Sequence, residues 1–200
     1  NMNASHVCTQ VGYEETTTDF STMAQAVVDA GCTSVLLVSY ATDGAGIIEE
    51  LSGLGFSGAI YGADGIAEEG LAAGMSDTTL VDGIIATKPA AAGTPGQVAM
   101  VFAALCAQSA DCAGGIYTAE AFDAVTIAAF AAFTALATPG LAAGDAVMGT
   151  GQGWNGASGT ISFLANGDVP AAGFCIGEFS TAADGTVSYD CARSWDPVNG

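Results

Sequence analysis

The chain has 200 residues, half of them apolar, and a formal net charge of −19 that sets 21 acidic residues against two basic ones, Lys88 and Arg193. Two cations cannot neutralise a row of phosphates, which excludes nucleic acid as a partner, and an anionic membrane surface would repel the chain. The single histidine, His6, excludes multi-histidine metal sites and leaves little room for histidine-based catalysis, while the positive mean hydropathy excludes a disordered acidic tail.

In chain order, Val7–Tyr13 reads as a strand, and Thr18-Asp19-Phe20-Ser21 offers N-cap residues for a helix to about Ala30. Cys32–Tyr40 contains Val35-Leu36-Leu37-Val38, the pattern of a strand buried on both faces. Thr42-Asp43-Gly44 leads into a helix from about Ala45 to Leu54, closed by Gly55. Ala59–Gly62 is the next strand, a short helix follows near Glu68–Ala73, and Gly83–Thr87 is another strand. This β-α-β-α-β order predicts an α/β fold with a parallel sheet flanked by helices on both faces.

The second half changes character. Thr94–Gln108 and Thr118–Leu136 read as helices, the latter apolar nearly all round and so expected to be buried on most sides. A Gly/Ala-rich connection, Pro139–Gly159, leads to a strand at Gly159–Phe163, a turn at Asn166-Gly167-Asp168 and a C-terminal antiparallel hairpin. The chain reads as one region: β/α units over 1–90, a helical part over 91–150, and strands with the hairpin over 151–200.

Six cysteines permit three disulfides. Folding the hairpin about Ala183 sets Phe179 opposite Val187 and Cys175 opposite Cys191, close enough for a bond. Cys106 and Cys112 flank a short polar loop and form a second plausible staple, which leaves Cys8 and Cys32; other connectivities, or reduced buried cysteines, stay open. No CxxC pair is present, so zinc and thioredoxin chemistry are not expected. Disulfides place the chain outside the cytoplasm, in a periplasmic or extracellular setting. The opening at Asn1, without a signal peptide, reads as a processed or excised piece. The strongly apolar run Ala124–Ala137 is short for a bilayer span and contains Thr126 and Thr134.

Several segments together resemble the substrate-binding proteins of ABC importers for branched-chain amino acids and related solutes, which have the type I periplasmic-binding fold. They are Tyr13-Glu14-Glu15-Thr16-Thr17-Thr18-Asp19-Phe20-Ser21, Val35–Tyr40 with Gly46-Ile47-Ile48-Glu49-Glu50-Leu51, Ile60-Tyr61-Gly62-Ala63-Asp64-Gly65, Tyr117–Val125, and Gly159–Phe163 with Asn166-Gly167-Asp168. The resemblance covers nearly the whole chain, but it starts inside the family's second lobe. It implies that the helix around Phe122–Leu136 has lost the first lobe on which it packs, so that a rearranged core, another copy or a companion chain must cover it.

Ligands of open parallel sheets sit beyond the carboxyl ends of the strands. The loops after Tyr13, Tyr40 and Gly62 qualify, and the candidate ligand-binding residues are Asp64, Tyr40, Ser39, Gly65 and Tyr13, with Thr42 and Asp43 as weaker members. The resemblance gives Asp64 the role of pairing with a ligand ammonium; by itself, Asp64 with Gly65 also reads as a turn or helix cap. Tyr40 reads equally as a ligand-packing residue and as an ordinary strand-end tyrosine. The groups that hold a ligand carboxylate are implied to lie in the first lobe.

Other constellations carry less. Asp123 reads as a structural hydrogen-bonder, and Glu14/Glu15 and Glu68/Glu69 as solvated acids that do not converge as a glycosidase pair would. Asn166-Gly167-Asp168 is a hairpin turn and not a calcium loop, and Gly44-Ala45-Gly46 lacks a phosphate-loop lysine. Ser5 and His6 have no mapped third partner, and Trp154 and Trp195 read as surface packing. No nucleophile–base set stands out, so an enzyme is not expected, nor is a cofactor. The leading expectation is a non-enzymatic solute-binding module, working with a membrane permease and binding an amino-acid-like ligand. The alternative is a structural subunit of an extracellular assembly that reuses the fold through self-association.

Overall fold

A computed structural model describes residues 7–89, 97–109, 112, 117–169 and 173–195. Ser5 and His6 therefore lie outside the described residues, as do the first residues of the helix expected from Thr94. The chain forms two compact units, residues 1–89 with 174–195, and residues 90–173 with 196–200.

The first unit is a five-stranded mixed sheet with helices. Its elements are α1 (Ser21–Asp29), β1 (Ser34–Leu37), α2 (Ala41–Gly53), β2 (Ala59–Gly62), β3 (Ile85–Pro89), β6 (Phe174–Thr181) and β7 (Val187–Trp195), with strand order β1-β2-β3-β6-β7. β1, β2 and β3 run parallel; β6 pairs antiparallel with β3 and with β7. Three 3-10 turns, Asp64–Ile66, Glu69–Ala72 and Thr78–Val81, connect β2 to β3. The α/β fold class and the C-terminal hairpin thus stand as expected.

Helix α2 shows how sequence builds the core. Gly44, Ile47, Ile48 and Leu51 recur at helical spacing and are buried. Burying each large side chain contributes about 2 kcal/mol. Gly46 lets the ring of Phe20 lie against the helix, since a Cβ there would meet the ring at 2.9 Å. Gly55, at φ +78°, ends the helix as expected: Phe56 N–H donates to the Leu51 carbonyl, 3.0 Å.

Four expectations are corrected in this unit. Val7–Tyr13 is not a strand, because no ladder partner reaches it among the described residues. Nor is the run Val35–Val38 buried on both faces. Leu37 and Ser39 are buried, but Leu36 is exposed and Val38 is 72% exposed; Tyr61, paired with Leu36 on the interior strand β2, is exposed as well, so this face of the sheet carries little cover among the described residues. The helix expected at Glu68–Ala73 is a 3-10 turn. Finally, the hairpin register differs: Thr181 faces Val187, Phe179 faces Tyr189 and Cys175 faces Ser194. Ala182 N–H donates to the Thr186 carbonyl and Gly185 takes φ +86°, so the chain reverses about Asp184 and not Ala183. Cys175 and Cys191 are nonetheless bonded, with Cα atoms 5.5 Å apart. A bulge between Ile176 and Glu178 places an extra residue on β7, and bulges re-aim side chains in this way. The Cys8–Cys32 and Cys106–Cys112 disulfides are also formed.

The second unit is mainly helical: α3 (Gln97–Cys106), α4 (Thr118–Ala137), α5 (Ala143–Thr150) and a two-strand ladder of β4 (Trp154–Asn155) with β5 (Thr160–Ile161). α5 and β4 fall within the segment expected to be a plain connection. The carboxylate of Asp123 is fully buried and accepts from Ala157 N–H, Ser158 N–H and Ser158 O–H at 2.7–2.8 Å. Gly156 is required beside it, since any Cβ there would collide with that carboxylate. Trp154 is half-buried against Phe130, with ring centroids 5.7 Å apart.

The expectation that α4 is buried on most sides is overturned. Its buried residues are Asp123, Ile127 and Ala131, one stripe, whereas Val125, Phe133 and Leu136 are exposed. Its 20 residues also make it long and apolar enough to cross a membrane by length and composition, against the expectation from the shorter run. The Thr126 and Thr134 hydroxyls donate to the Phe122 and Phe130 carbonyls, which hides their polarity within the helix. The ties of Asp123 to the 157–158 backbone fix the start of this helix to the rest of the unit.

Candidate functional site

β1 ends at Leu37 and β2 at Gly62, and both strands point their carboxyl ends at the same place. Ala63 N–H donates to the Leu37 carbonyl, 3.0 Å, so the two following loops leave the sheet together. The first loop, Val38-Ser39-Tyr40, enters α2 directly. The second turns into Asp64–Ile66. Gly62 carries no side chain because the Ile66 side chain occupies that space, and Gly65 carries none because the Ser39 carbonyl does. Both glycines let the second loop lie flat against the first.

The segment before α1 supplies a third wall. Tyr13 Oη and Ser39 Oγ share a 2.6 Å hydrogen bond, and the Tyr13 ring stands edge-on to Phe20 at 5.3 Å. Ser39 is only 8% exposed, so this hydroxyl pair is held at the floor, while Tyr40 is 75% exposed. The Tyr13 phenol is held above its ordinary pKa, chiefly because burial strips water from it; the Ser39 hydrogen bond opposes this, and the nearby Asp43 carboxylate adds to it.

Together these loops enclose a groove of about 880 Å³, lined by residues 11–13, Glu15, 38–40, Thr42, Asp43 and 63–65. All five expected ligand-binding residues, Tyr13, Ser39, Tyr40, Asp64 and Gly65, line it. Both weaker members, Thr42 and Asp43, line it as well. Val11, Gly12 and Glu15 also line it and were missed. The signal for them was their position beside Tyr13, hidden by reading Val7–Tyr13 as a sheet strand. Three carboxylates, Glu15, Asp43 and Asp64, face this space without a basic residue in its lining. Asp43 lies in the first turn of α2, where the helix dipole stabilises its charge. Among the described residues no group of His, Cys, Asp or Glu is arranged to hold a metal ion. The arrangement can hold a cation between carboxylates and tyrosine faces.

No protein-family model matches the chain. No curated protein matches it. Solved structures do match. The leucine-binding protein LivK of Thermotoga maritima aligns with a TM-score of 0.69 at 21% identity, over 94% of this chain and 52% of its own. An ABC-transporter solute-binding protein of Rhodopseudomonas palustris, in complex with 4-hydroxybenzoate, gives 0.69 at 15% identity, over 93% and 51%. The branched-chain amino acid transporter substrate-binding protein LivJ of Streptococcus pneumoniae, in complex with isoleucine, gives 0.60 at 17% identity, over 92% and 49%. The fold is therefore that of the type I periplasmic binding proteins of ABC transporters. The chain spans about half the length of the solved structures it matches.

Proposed function

We propose that the chain is a solute-binding module of an ABC-type importer, acting in the periplasm or outside the cell and delivering its ligand to a membrane permease. It binds and does not transform. The observation that carries this reading is the groove at the carboxyl ends of β1 and β2, where Asp64, Tyr40, Ser39, Gly65 and Tyr13 meet. The ligand is small and amphoteric, such as a branched-chain amino acid. Asp64 takes its ammonium group, Tyr40 and Tyr13 pack against its body, and Gly65 lets the loop approach it.

Electrostatics narrow the choice. A ligand with a carboxylate and no ammonium, such as 4-hydroxybenzoate, meets three like charges here, and like charges in a partly dry cleft repel. The open groove of about 880 Å³ exceeds what one amino acid fills, so a ligand of that size would be only partly enclosed and its affinity for this groove is expected to be weak. Calorimetric titration with leucine, isoleucine and 4-hydroxybenzoate tests the reading. The amino acids should bind, the aromatic acid should not, and Asp64→Asn should lower amino-acid affinity at least tenfold without unfolding the protein. Unchanged affinity in that variant sinks the role of Asp64.

The structural-subunit alternative rests on the exposed apolar side of α4. It requires mass that rises with protein concentration, and a monomer at all concentrations removes it.

A further inference from the structure

Val11, Gly12 and Tyr13 form one wall of the groove, yet residues 7–14 join no sheet ladder. A segment without ladder bonds must offset its chain entropy through side-chain ties. The described ties are few. Cys8 is bonded to Cys32, 24 residues away in sequence and just beyond α1, and Tyr13 bonds Ser39 and packs on Phe20. Val7 and Val11, between these anchors or beside them, are exposed and contribute little burial. Neither Cys8 nor Cys32 belongs to the buried core, which is built from Phe20, Ala24, Leu37, Ile48 and their neighbours. The bond therefore fixes the wall and not the core.

We propose that the Cys8–Cys32 disulfide is the positioning element of the groove, holding Val11-Gly12-Tyr13 as its wall, so that opening it releases this wall while the sheet and its helices stay folded. The consequence for ligand affinity rests on the function proposed above; the structural effect does not.

The test uses the full chain carrying Cys8→Ser and Cys32→Ser together, with Cys106→Ser/Cys112→Ser as the control. Tyrosine labelled at the ring Cζ carbon is followed by NMR through a pH titration, and Tyr13→Phe identifies the Tyr13 signal. In the wild type and the control, Tyr13 should titrate above the ordinary tyrosine value of about 10. In the Cys8/Cys32 variant it should fall back to that value, hydrogen exchange should quicken at residues 9–14 and not in β1 or β2, and leucine affinity should drop at least tenfold. An unchanged Tyr13 titration overturns the proposal, as does a uniform loss of exchange protection or a failure to fold. If Tyr13 moves as expected but the wild type binds no leucine, the positioning role stands and the ligand reading fails.

Discussion

In the first unit, α2 turns Ile47, Ile48 and Leu51 inward against a sheet, and its outward residues include Asp43, Glu49 and Glu50. In the second, α4 turns Ile127 and Ala131 inward, but its opposite side, with Val125, Phe133 and Leu136, is just as apolar and lies exposed. Both helices are rich in apolar residues, yet only α2 has the two-sided contrast of a surface helix. The difference shows that apolar composition states a demand for cover, whereas only the pattern of polar residues states which side is covered within the chain. The first unit closes its own core around the groove. The second leaves the apolar side chains of Val125, Phe133 and Leu136 exposed.

Paired truncations put this contrast to its hardest test. Phe179 is 1% exposed and packs on Tyr189 with ring centroids 4.9 Å apart, so Phe179→Ala should cost about 3–5 kcal/mol. Phe133 is 72% exposed, and Phe133→Ala should change stability by less than about 0.5 kcal/mol. Urea unfolding of both variants measures the gap. Equal losses would mean that the outer side of α4 is covered in the folded protein.

The next effect belongs to the second unit alone. Asp123 accepts three hydrogen bonds at 2.7–2.8 Å in full burial. Asp123→Ala strands two backbone N–H groups and should cost about 2–3 kcal/mol. Hydrogen exchange should quicken at residues 156–158 and along the first turns of α4, and not in β1–β3. A loss spread over both units would show that they unfold as one.

How much of this could be read beforehand depends on what sets each feature. Where local chemistry decides, sequence was sufficient: β2 falls at Ala59–Gly62, α2 ends at Gly55, and the loops that flank the groove follow from strand ends. Among the disulfides, Cys106–Cys112 is legible as a staple across a short loop and Cys175–Cys191 as a hairpin bridge, though in another register, while Cys8–Cys32 follows only by elimination. Val7–Tyr13 has the side chains of a strand, but a strand exists only where a neighbour pairs with it, and sequence does not display neighbours. Val35–Val38 failed for the same reason, since its apolar run does not say whether both faces of the sheet are covered. The hairpin register failed because a shift of turn centre by one residue moves the pairing by two. Val11 and Gly12 were lost from the site with the strand assignment. Asp64 was legible through its place after β2 and Asp43, more weakly, through its place after Tyr40, while Glu15 looks like an ordinary solvated acid until the loops bring it to the groove.

The smallest expected effect concerns acid in the first unit. Hydrogen bonds hold the carboxyls of Asp19, Glu49, Asp77 and Asp184 below their ordinary pKa. Asp77 caps the turn Thr78–Val81; its carboxylate accepts from the Thr79 hydroxyl at 2.6 Å and the Thr79 N–H at 2.9 Å, and the hydroxyl is the larger cause of the lowered pKa. A folded pKa below the unfolded one makes its contribution complete above the unfolded value, near 4, and erases it as pH falls through the folded value. Asp77→Ala should therefore lower the melting temperature slightly at pH 6. The wild type and the variant should converge as pH falls through the lowered folded value, where the wild-type carboxyl takes up its proton and caps no better. A gap that persists in acid would mean that Asp77 acts through packing and not through its charge.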